Sequence, residues 1–177
     1  MPENVLSVIR MGNPILREIA KKVKVEEIQS TEMQHFIDDL ICTMRKENGA
    51  GIAAPQVGKS IRVFVMECDN NERYPDVDDF PLTTVINPTI TKKTDAQIEN
   101  WEGCLSIPGI RGQVARFTHV TLKGLDRFGR PFEKELTNFE AVVAQHEMDH
   151  LNGVLFVDRL KDSKNLAFYE EYLTFIK

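Results

Sequence analysis

Apolar residues recur three or four positions apart in three stretches of the chain, which is the spacing of one face of an α-helix. The first stretch covers residues 33–44, and Thr31 with Gln34 supplies a capping box before it. The last stretch, residues 166–176, keeps the same spacing to the end of the sequence. We expect an amphipathic helix at each, the first of them stopping near Gly49.

The middle stretch contains polar residues that continue its apolar face. Thr137 and Glu140 form a second capping box, so we expect a helix to begin near Thr137. Five side chains then fall on one face of that helix: Phe139, Val142, Val143, His146 and His150. This helix therefore aims two imidazoles toward the protein interior.

Short runs rich in β-branched and aromatic residues predict strands between the helices. These runs occupy residues 61–67, 83–89, 114–123 and 132–136. The turn sequence DRFGR at residues 126–130 joins the last two, and the acidic, turn-rich residues 68–80 predict a surface loop between the first two. We expect an α+β fold in which antiparallel strands pack around the central helix, as one domain over residues 1–177.

Composition and charge exclude several classes of protein. The 177 residues are 42% hydrophobic and 28% charged, which is typical of a globular domain and not of a disordered chain. The net charge of −5, with no dominant basic tract, argues against specific nucleic-acid binding. No apolar run approaches the ~18 residues that a membrane span requires. The first residues have neither a basic stretch nor an apolar core, so we expect no secretory signal and a cytoplasmic protein.

The cysteine content favours the same compartment. Three cysteines, Cys42, Cys68 and Cys104, cannot all pair with one another. We therefore expect free thiols in a reducing cytosol. In that setting, a thiol at a special position is more often a metal ligand or a nucleophile than a disulfide partner.

The central helix carries the sequence HEMDH at residues 146–150. Because positions i and i+4 lie on one side of a helix, His146 and His150 point in the same direction. A divalent metal ion would satisfy both buried imidazoles at once, and Glu147 would lie beside the metal. The simpler alternative is a pair of core histidines bonded to backbone carbonyls, and the paired spacing favours the metal.

A catalytic metal needs a third protein ligand and an open position. No histidine follows His150, so the usual downstream ligand of HExxH proteases is missing. Cys104, in the turn-like sequence EGCLSIP at residues 102–108, is the better candidate because a thiolate suits iron or zinc. Its spacing alone would equally fit a small buried apolar residue.

The sequence GAGIAAPQ at residues 49–56 is the third unusual segment. Its two glycines allow the backbone to come close to a ligand or to another strand. Taken alone, the segment would be a loop between a helix and a strand, and Gln56 would be an ordinary surface amide.

Together, three segments resemble the signature motifs of the peptide deformylase family. They are GAGIAAPQ at residues 49–56, EGCLS at residues 102–106 and QHEMDHL at residues 145–151, in the order of the family. The resemblance spans residues 10–160. It implies hydrolysis of the N-formyl group from the formyl-methionine of newly synthesised polypeptides, with release of formate.

The resemblance also implies a metal site and a mechanism. Cys104, His146 and His150 match the metal ligands of the family. The ion is usually Fe²⁺, which Zn²⁺, Ni²⁺ or Co²⁺ can replace. A metal-bound water attacks the formyl carbon, and Glu147 acts as the general base and then as the general acid.

Further residues match the family's catalytic and substrate-binding groups. Gln56 and the backbone N–H of Leu105 match the donors to the carbonyl oxygen, which becomes an oxyanion during hydrolysis. The glycine-rich segment can pair with an extended peptide as an added strand, and an apolar pocket for methionine would draw on Ile52, Leu105 and Val142. The substrate-binding set is Gly51, Ile52, Glu102, Gly103, Arg111 and Val142, with Arg111 helping to orient the peptide.

Two features depart from the family pattern. Ala50 stands where a bulkier aliphatic side chain is common, which predicts a wider rim of the methionine pocket. Residues 161–177 carry three lysines and three acidic groups. A basic helix for transient association with the ribosome is therefore not supported, and formylated nascent peptides are the expected partners.

Three other classes remain as alternatives. An HExxH peptidase would cut internal peptide bonds, but it lacks its downstream ligand. A closed structural metal site would need His35 or His119 as a fourth ligand. A nucleophilic hydrolase built on Cys104 would leave the paired histidines unexplained.

Overall fold

The computed structural model describes residues 4–71 and 76–177. Within these ranges the helices are α1 (Val25–Ile28), α2 (Thr31–Lys46), α3 (Asn138–Leu151) and α4 (Tyr169–Phe175). The strands are β1 (Gly51–Ala53), β2 (Val63–Cys68), β3 (Phe80–Lys92), β4 (Gln97–Cys104), β5 (Ile107–Phe117), β6 (His119–Leu125), β7 (Pro131–Thr137) and β8 (Leu166–Phe168). Short 3₁₀ turns connect several of them, one of them at Ala54–Val57.

The strands form two antiparallel sheets with α3 packed against strands of both. The larger sheet has the order β1-β2-β3-β6-β7, and the smaller has the order β4-β5-β8. The contacts of α3 include β1, β2, β3, β6 and β7 of the larger sheet and β5 of the smaller one. The predicted α+β class, with antiparallel strands around the HExxH helix, is confirmed. Because β1 lies at the edge of its sheet, one side of its backbone has no neighbouring strand among the residues that the structure describes.

The first predicted helix is confirmed as α2, but its predicted cap is wrong. Ser30 is the N-cap, since its side chain accepts a hydrogen bond from the Met33 N–H at 3.2 Å. Thr31 is already helical. The buried face of α2 packs on the edge of the larger sheet. Their shared apolar cluster includes Ile37, Leu40 and Met44 of α2, Ile52 of β1, and Val63 and Val65 of β2.

The strand predicted over residues 114–123 is two strands in two different sheets. β5 ends at Phe117 and β6 begins at His119. Between them, the Thr118 N–H donates to the Ala96 carbonyl, and the Thr118 carbonyl accepts from the Asn138 N–H, both at 3.0 Å. Alternation along the sequence continues through this crossing, because the pattern records which face is buried and not which strand is the partner.

The last predicted helix is wrong over its first residues. Leu166–Phe168 forms β8, which pairs antiparallel with β5, and only Tyr169–Phe175 is helical. Pairing with a distant strand overrides the local helical spacing here.

The central helix begins where it was predicted, without the predicted capping box. Thr137 precedes α3 but makes no side-chain capping bond. Glu140 instead pairs with Lys134 of β7. The position of the helix start was therefore predictable, and the interaction at that start was not.

The three cysteines are free thiols, as expected. Residues 69–71 and 76–79 connect β2 to β3, and residues 72–75 of the predicted acidic loop lie outside the described residues. Across the described ranges, no helix is long and apolar enough to span a bilayer.

Candidate metal centre

The end of β4 and one face of α3 bring together a thiol and two imidazoles. Ligand atoms of Cys104, His146 and His150 all lie within 4.8 Å of one another, and the Cys104 Sγ is 3.3 Å from the His150 Nε2. The side chain of His150 is buried, and that of His146 is 11% exposed. Over residues 4–71 and 76–177, no other group of three His, Cys, Asp or Glu side chains could hold an ion.

The chemistry of these donors fits a divalent transition-metal ion. In a tetrahedral site, sulfur and nitrogen ligands of one ion lie roughly 3.3–3.6 Å apart, which matches the distance from Cys104 to His150. His146 points its Nδ1 at the Glu102 Oε2, 2.8 Å away, which leaves its Nε2 for an ion. A carboxylate behind a ligating histidine is the usual support of such sites. His119 on β6 instead has its Nε2 3.2 Å from the Glu135 Oε2 on β7, and neither His119 nor His35 belongs to the cluster.

Burial sets the protonation of His150. Loss of solvent lowers the pKa of this imidazole well below its usual value, and the positive charges of His146 and Arg116 add to the effect. A neutral imidazole is the form that binds a metal. The same fold that buries His150 therefore holds it ready for ligation.

A buried network of charges supports the centre, and sequence reasoning missed it. Arg116 donates from Nε and NH2 to the two oxygens of Glu102, at 2.7 and 2.9 Å, and from NH1 to Asp149 at 2.6 Å. Arg159 donates to the other oxygen of Asp149 at 2.6 Å. Burial raises the pKa of Glu102, but its bonds with Arg116 and His146 outweigh this and take it to about 2. Glu102 is thus an anion that accepts from His146.

Some signal for this network exists in the sequence. Asp149 lies three residues after His146 and so falls near it on the helix. Arg116 carries no such signal, because it reaches Glu102 only through the pairing of β4 with β5.

Glu147 lies against a glycine of β1. A Cβ atom on Gly51 would be 2.6 Å from the Glu147 Oε1, so only glycine allows this approach. The Glu147 Oε2 is buried, and within the described residues it has no hydrogen-bond partner. Burial raises the pKa of this carboxyl to about 7. Its affinity for a proton is therefore close to that of a neutral-pH general base.

Gln56 is buried and oriented, unlike the ordinary surface amide that its segment taken alone would suggest. Its Oε1 accepts from the Ala53 N–H at 2.8 Å. This bond turns its Nε2 toward the Ser106 Oγ at 3.3 Å and the Cys104 Sγ at 3.6 Å. The side chain is 1% exposed. The amide thus presents donors beside the metal ligands.

A cleft of about 870 Å³, including its open mouth, lies over these groups. Nine of the predicted site residues line it: Gly51, Gln56, Glu102, Gly103, Cys104, Leu105, Val142, His146 and Glu147. Five further apolar or aromatic side chains form much of the remaining wall: Val77, Trp101, Phe139, Val143 and Tyr172. Ala50, the small residue at the rim, also lines the cleft. Of the aromatic members, Trp101 and Tyr172 were not predicted.

Two of the predicted substrate-binding side chains do not line this cleft. Ile52 is fully buried and packs in the apolar cluster beneath α2. Its side chain lies on the face of β1 that points away from the cleft. Arg111 is 4% exposed, and its guanidinium lies 4.8 Å from the Tyr169 ring centroid. It also fills the space beside Gly103, where a Cβ atom would lie 1.4 Å from its NH1. Neither side chain lines the cleft in this structure, and their roles in binding substrate stay predictions.

Glu102 belongs both to the cleft and to the buried charge network. It lines the cleft, but both of its carboxylate oxygens are bonded to Arg116 and one also to His146. This carboxylate therefore orients His146, and its predicted role in binding the peptide stays a prediction.

A sequence model of the family described as "Polypeptide deformylase" matches residues 5–166. The chain belongs to the peptide deformylase family. It is therefore a hydrolase that removes the N-formyl group from the formyl-methionine of nascent polypeptides, and the family is metal-dependent. The resemblance of the three motifs is confirmed as family membership, which sets aside the alternatives of a peptidase, a structural site and a cysteine nucleophile.

Relatives of the deformylase family match nearly the full chain. "Peptide deformylase 2" of Nostoc sp. is 45% identical over 97% of this chain and 95% of its own length. "Peptide deformylase 1" of Nitrosomonas europaea is 41% identical over 91% and 90%. Among solved structures, a class I type b peptide deformylase from Acinetobacter baumannii with Met-Ala-Ser bound has a TM-score of 0.87 at 40% identity. The superposition covers 90% of this chain and 100% of the A. baumannii chain.

Proposed function

We propose that this deformylase acts with Fe²⁺ held by Cys104, His146 and His150. When bound, such an ion supplies Lewis acidity and lowers the pKa of a water ligand toward about 7. The convergence of these three ligands within 4.8 Å is the observation that carries the proposal. One thiolate and two imidazoles suit iron and zinc, and three protein ligands would leave one position of a four-coordinate ion open for water.

Glu147 is the proposed proton carrier. Its buried Oε2 borders the cleft beside His146, and a pKa of about 7 suits both uptake and release of a proton. The carboxylate accepts the proton of the attacking water. It then delivers the proton to the amine of methionine as the bond to the formyl carbon breaks.

Gln56 and the N–H of Leu105 are the proposed donors to the oxyanion. The hydrogen bond from Ala53 holds the Gln56 amide so that its Nε2 faces the sulfur of Cys104. A donor already in place needs no reorganisation as charge develops on the formyl oxygen, and such donors are worth about 3–4 kcal/mol.

The peptide is proposed to bind along the edge of β1. Gly51 is both at that edge and in the cleft, so main-chain hydrogen bonds there would hold a peptide without regard to its side chains. Val142 and Val143, one turn before His146, offer an apolar surface for the methionine side chain. The A. baumannii relative with Met-Ala-Ser bound supports a product of this length in a deformylase cleft.

We propose that residues 1–177 form one catalytic domain that works in the cytoplasm, where its thiols stay reduced. Residues 161–177 carry balanced charges. We therefore propose no docking of this segment on ribosomal RNA, and substrate capture through the peptide itself.

The test is a formate-release assay on anaerobically purified protein, paired with elemental analysis. We expect about one iron per chain and formate from formyl-Met-Ala-Ser, with no cleavage of Met-Ala-Ser. Air should inactivate the iron-loaded enzyme, whereas the nickel-loaded enzyme should keep its activity. Iron-loaded protein that releases no formate, or zinc as the sole purified metal, would contradict the proposal.

A further inference from the structure

Helix α4 lies on the smaller sheet through two aromatic side chains one turn apart. The Tyr172 ring is 5.4 Å from the ring of Trp101 on β4, at an interplanar angle of 43°. Tyr169, three residues earlier and therefore on the same side of the helix, covers the guanidinium of Arg111 on β5. Strand β8 leads directly into the helix and pairs with β5. The position of α4 is thus set by β8 and by these ring contacts.

This helix also borders the substrate cleft. Tyr172 and Trp101 both line the cleft that contains Cys104, His146 and Glu147. Val77 lines the cleft as well, and its neighbour Asp76 has its carboxylate 3.8 Å from the Lys177 Nζ. The family match ends at residue 166, so α4 lies outside the part of the chain that the family pattern describes. Of the two ring residues, Trp101 lies inside the matched range and Tyr172 lies outside it.

We propose that Tyr172, placed by Trp101, forms an apolar wall that favours a large apolar side chain at the third residue of the substrate. The proposal rests on the proposed function of the cleft. Trp101 precedes Cys104 by three residues in the extended strand β4, which is about 10 Å. An extended peptide whose formyl group lies at the metal centre covers that distance in about three residues. Flat aromatic faces at that point bind aliphatic and aromatic side chains.

The chain offers a direct probe, because Trp101 is its only tryptophan. Titration of the metal-loaded enzyme with the product peptides Met-Ala-Phe and Met-Ala-Ser should change Trp101 emission. We expect tighter binding of Met-Ala-Phe to the parent. In Tyr172→Ala, the ratio of the two Kd values should fall about five-fold, in the range measured for aromatic pairs. The ratio of kcat/KM for the formylated peptides should fall by a similar factor.

Two variants control for other causes. Tyr172→Phe keeps the ring and should keep the parent's ratio. Phe175→Ala changes an aromatic residue of the same helix that is 78% exposed, and it should also keep the ratio. No residue of α4 is buried, so Tyr172→Ala leaves the core clusters intact. If thermal unfolding shows that it is nonetheless unstable, Tyr172→Gln provides the same test.

The outcomes separate this inference from the proposed function. A parent enzyme that releases no formate from formyl-Met-Ala-Ser would overturn the proposed function. A parent that releases formate, with an unchanged Phe-to-Ser ratio in Tyr172→Ala, would overturn the wall alone. If the effect appeared with formyl-Met-Phe-Ser and not with formyl-Met-Ala-Phe, the assignment to the third residue would be wrong.

Discussion

The metal centre and the C-terminal wall, which consists of β8, α4 and Trp101, border the same cleft but are held in place in different ways. At the metal centre, buried charges and hydrogen bonds restrain each ligand, as when Arg116 and Glu102 hold His146. At the wall, α4 has no buried residue and depends on a short strand and two ring contacts. The reacting groups are therefore rigidly placed, whereas the surface that meets the rest of the peptide is only weakly restrained.

The largest expected effect is at Glu147. Glu147→Gln keeps the shape of the side chain but cannot accept a proton, so the rate of formate release should fall about 10³–10⁴-fold. The metal content should stay at one ion per chain, measured by elemental analysis. Glu140→Gln on the same helix, where the carboxylate pairs with Lys134, should keep the activity within about two-fold. Parent-like turnover in Glu147→Gln would contradict its assigned role.

The buried network gives the next largest effect. Arg116→Met would remove both bonds of this arginine to the buried carboxylate of Glu102 and one of the two arginines that bond the buried Asp149, so the free energy of unfolding should fall by about 3–5 kcal/mol. Arg159→Met is the matched control, because this arginine also bonds Asp149 but its side chain is 50% exposed. It should cost at most about 1 kcal/mol. Urea unfolding with a chelator present measures both, and equal losses would show that burial does not distinguish them.

Gln56→Ala removes a proposed oxyanion donor. We expect kcat to fall about 10²-fold or more with formyl-Met-Ala-Ser, because the charge on the formyl oxygen would lose a preorganised partner. Gln29→Ala, at a surface glutamine bonded to the Phe128 carbonyl, should leave kcat unchanged. A large change in KM with kcat intact would instead assign Gln56 to peptide binding.

The smallest expected effect comes from replacing a phenylalanine of the C-terminal wall, and the same substitution near the metal centre is its comparison. Phe168→Ala on β8 removes a ring that is 67% exposed and should change the free energy of unfolding by less than about 0.5 kcal/mol. Phe156→Ala removes a fully buried ring near His146 and should cost about 3–5 kcal/mol. Thermal or urea unfolding tests both. A similar cost at the two positions would contradict the weak restraint of the C-terminal wall.

Much of the site could be predicted because its signals are local. The spacing of His146 and His150 follows from the period of a helix, and Glu147 between them follows from the same rule. Both predicted capping boxes were wrong. Ser30 caps α2 in place of Thr31, and Glu140 pairs with Lys134 of β7 while Thr137 makes no side-chain capping bond. The strand over residues 114–123 failed because its partners change at Thr118 while its alternation does not.

Local patterns of residues were enough to predict the class of fold, the central helix with its two facing imidazoles, and the motifs that mark the family. Tertiary packing was needed to bring Cys104 to those imidazoles and Arg116 to Glu102. It also places Tyr172 at the cleft and keeps the side chains of Ile52 and Arg111 out of the cleft lining. These contacts join residues that are far apart in the sequence. Helical and strand periods are set by neighbouring residues, whereas these meetings depend on which strands pair and how α3 and α4 pack on them.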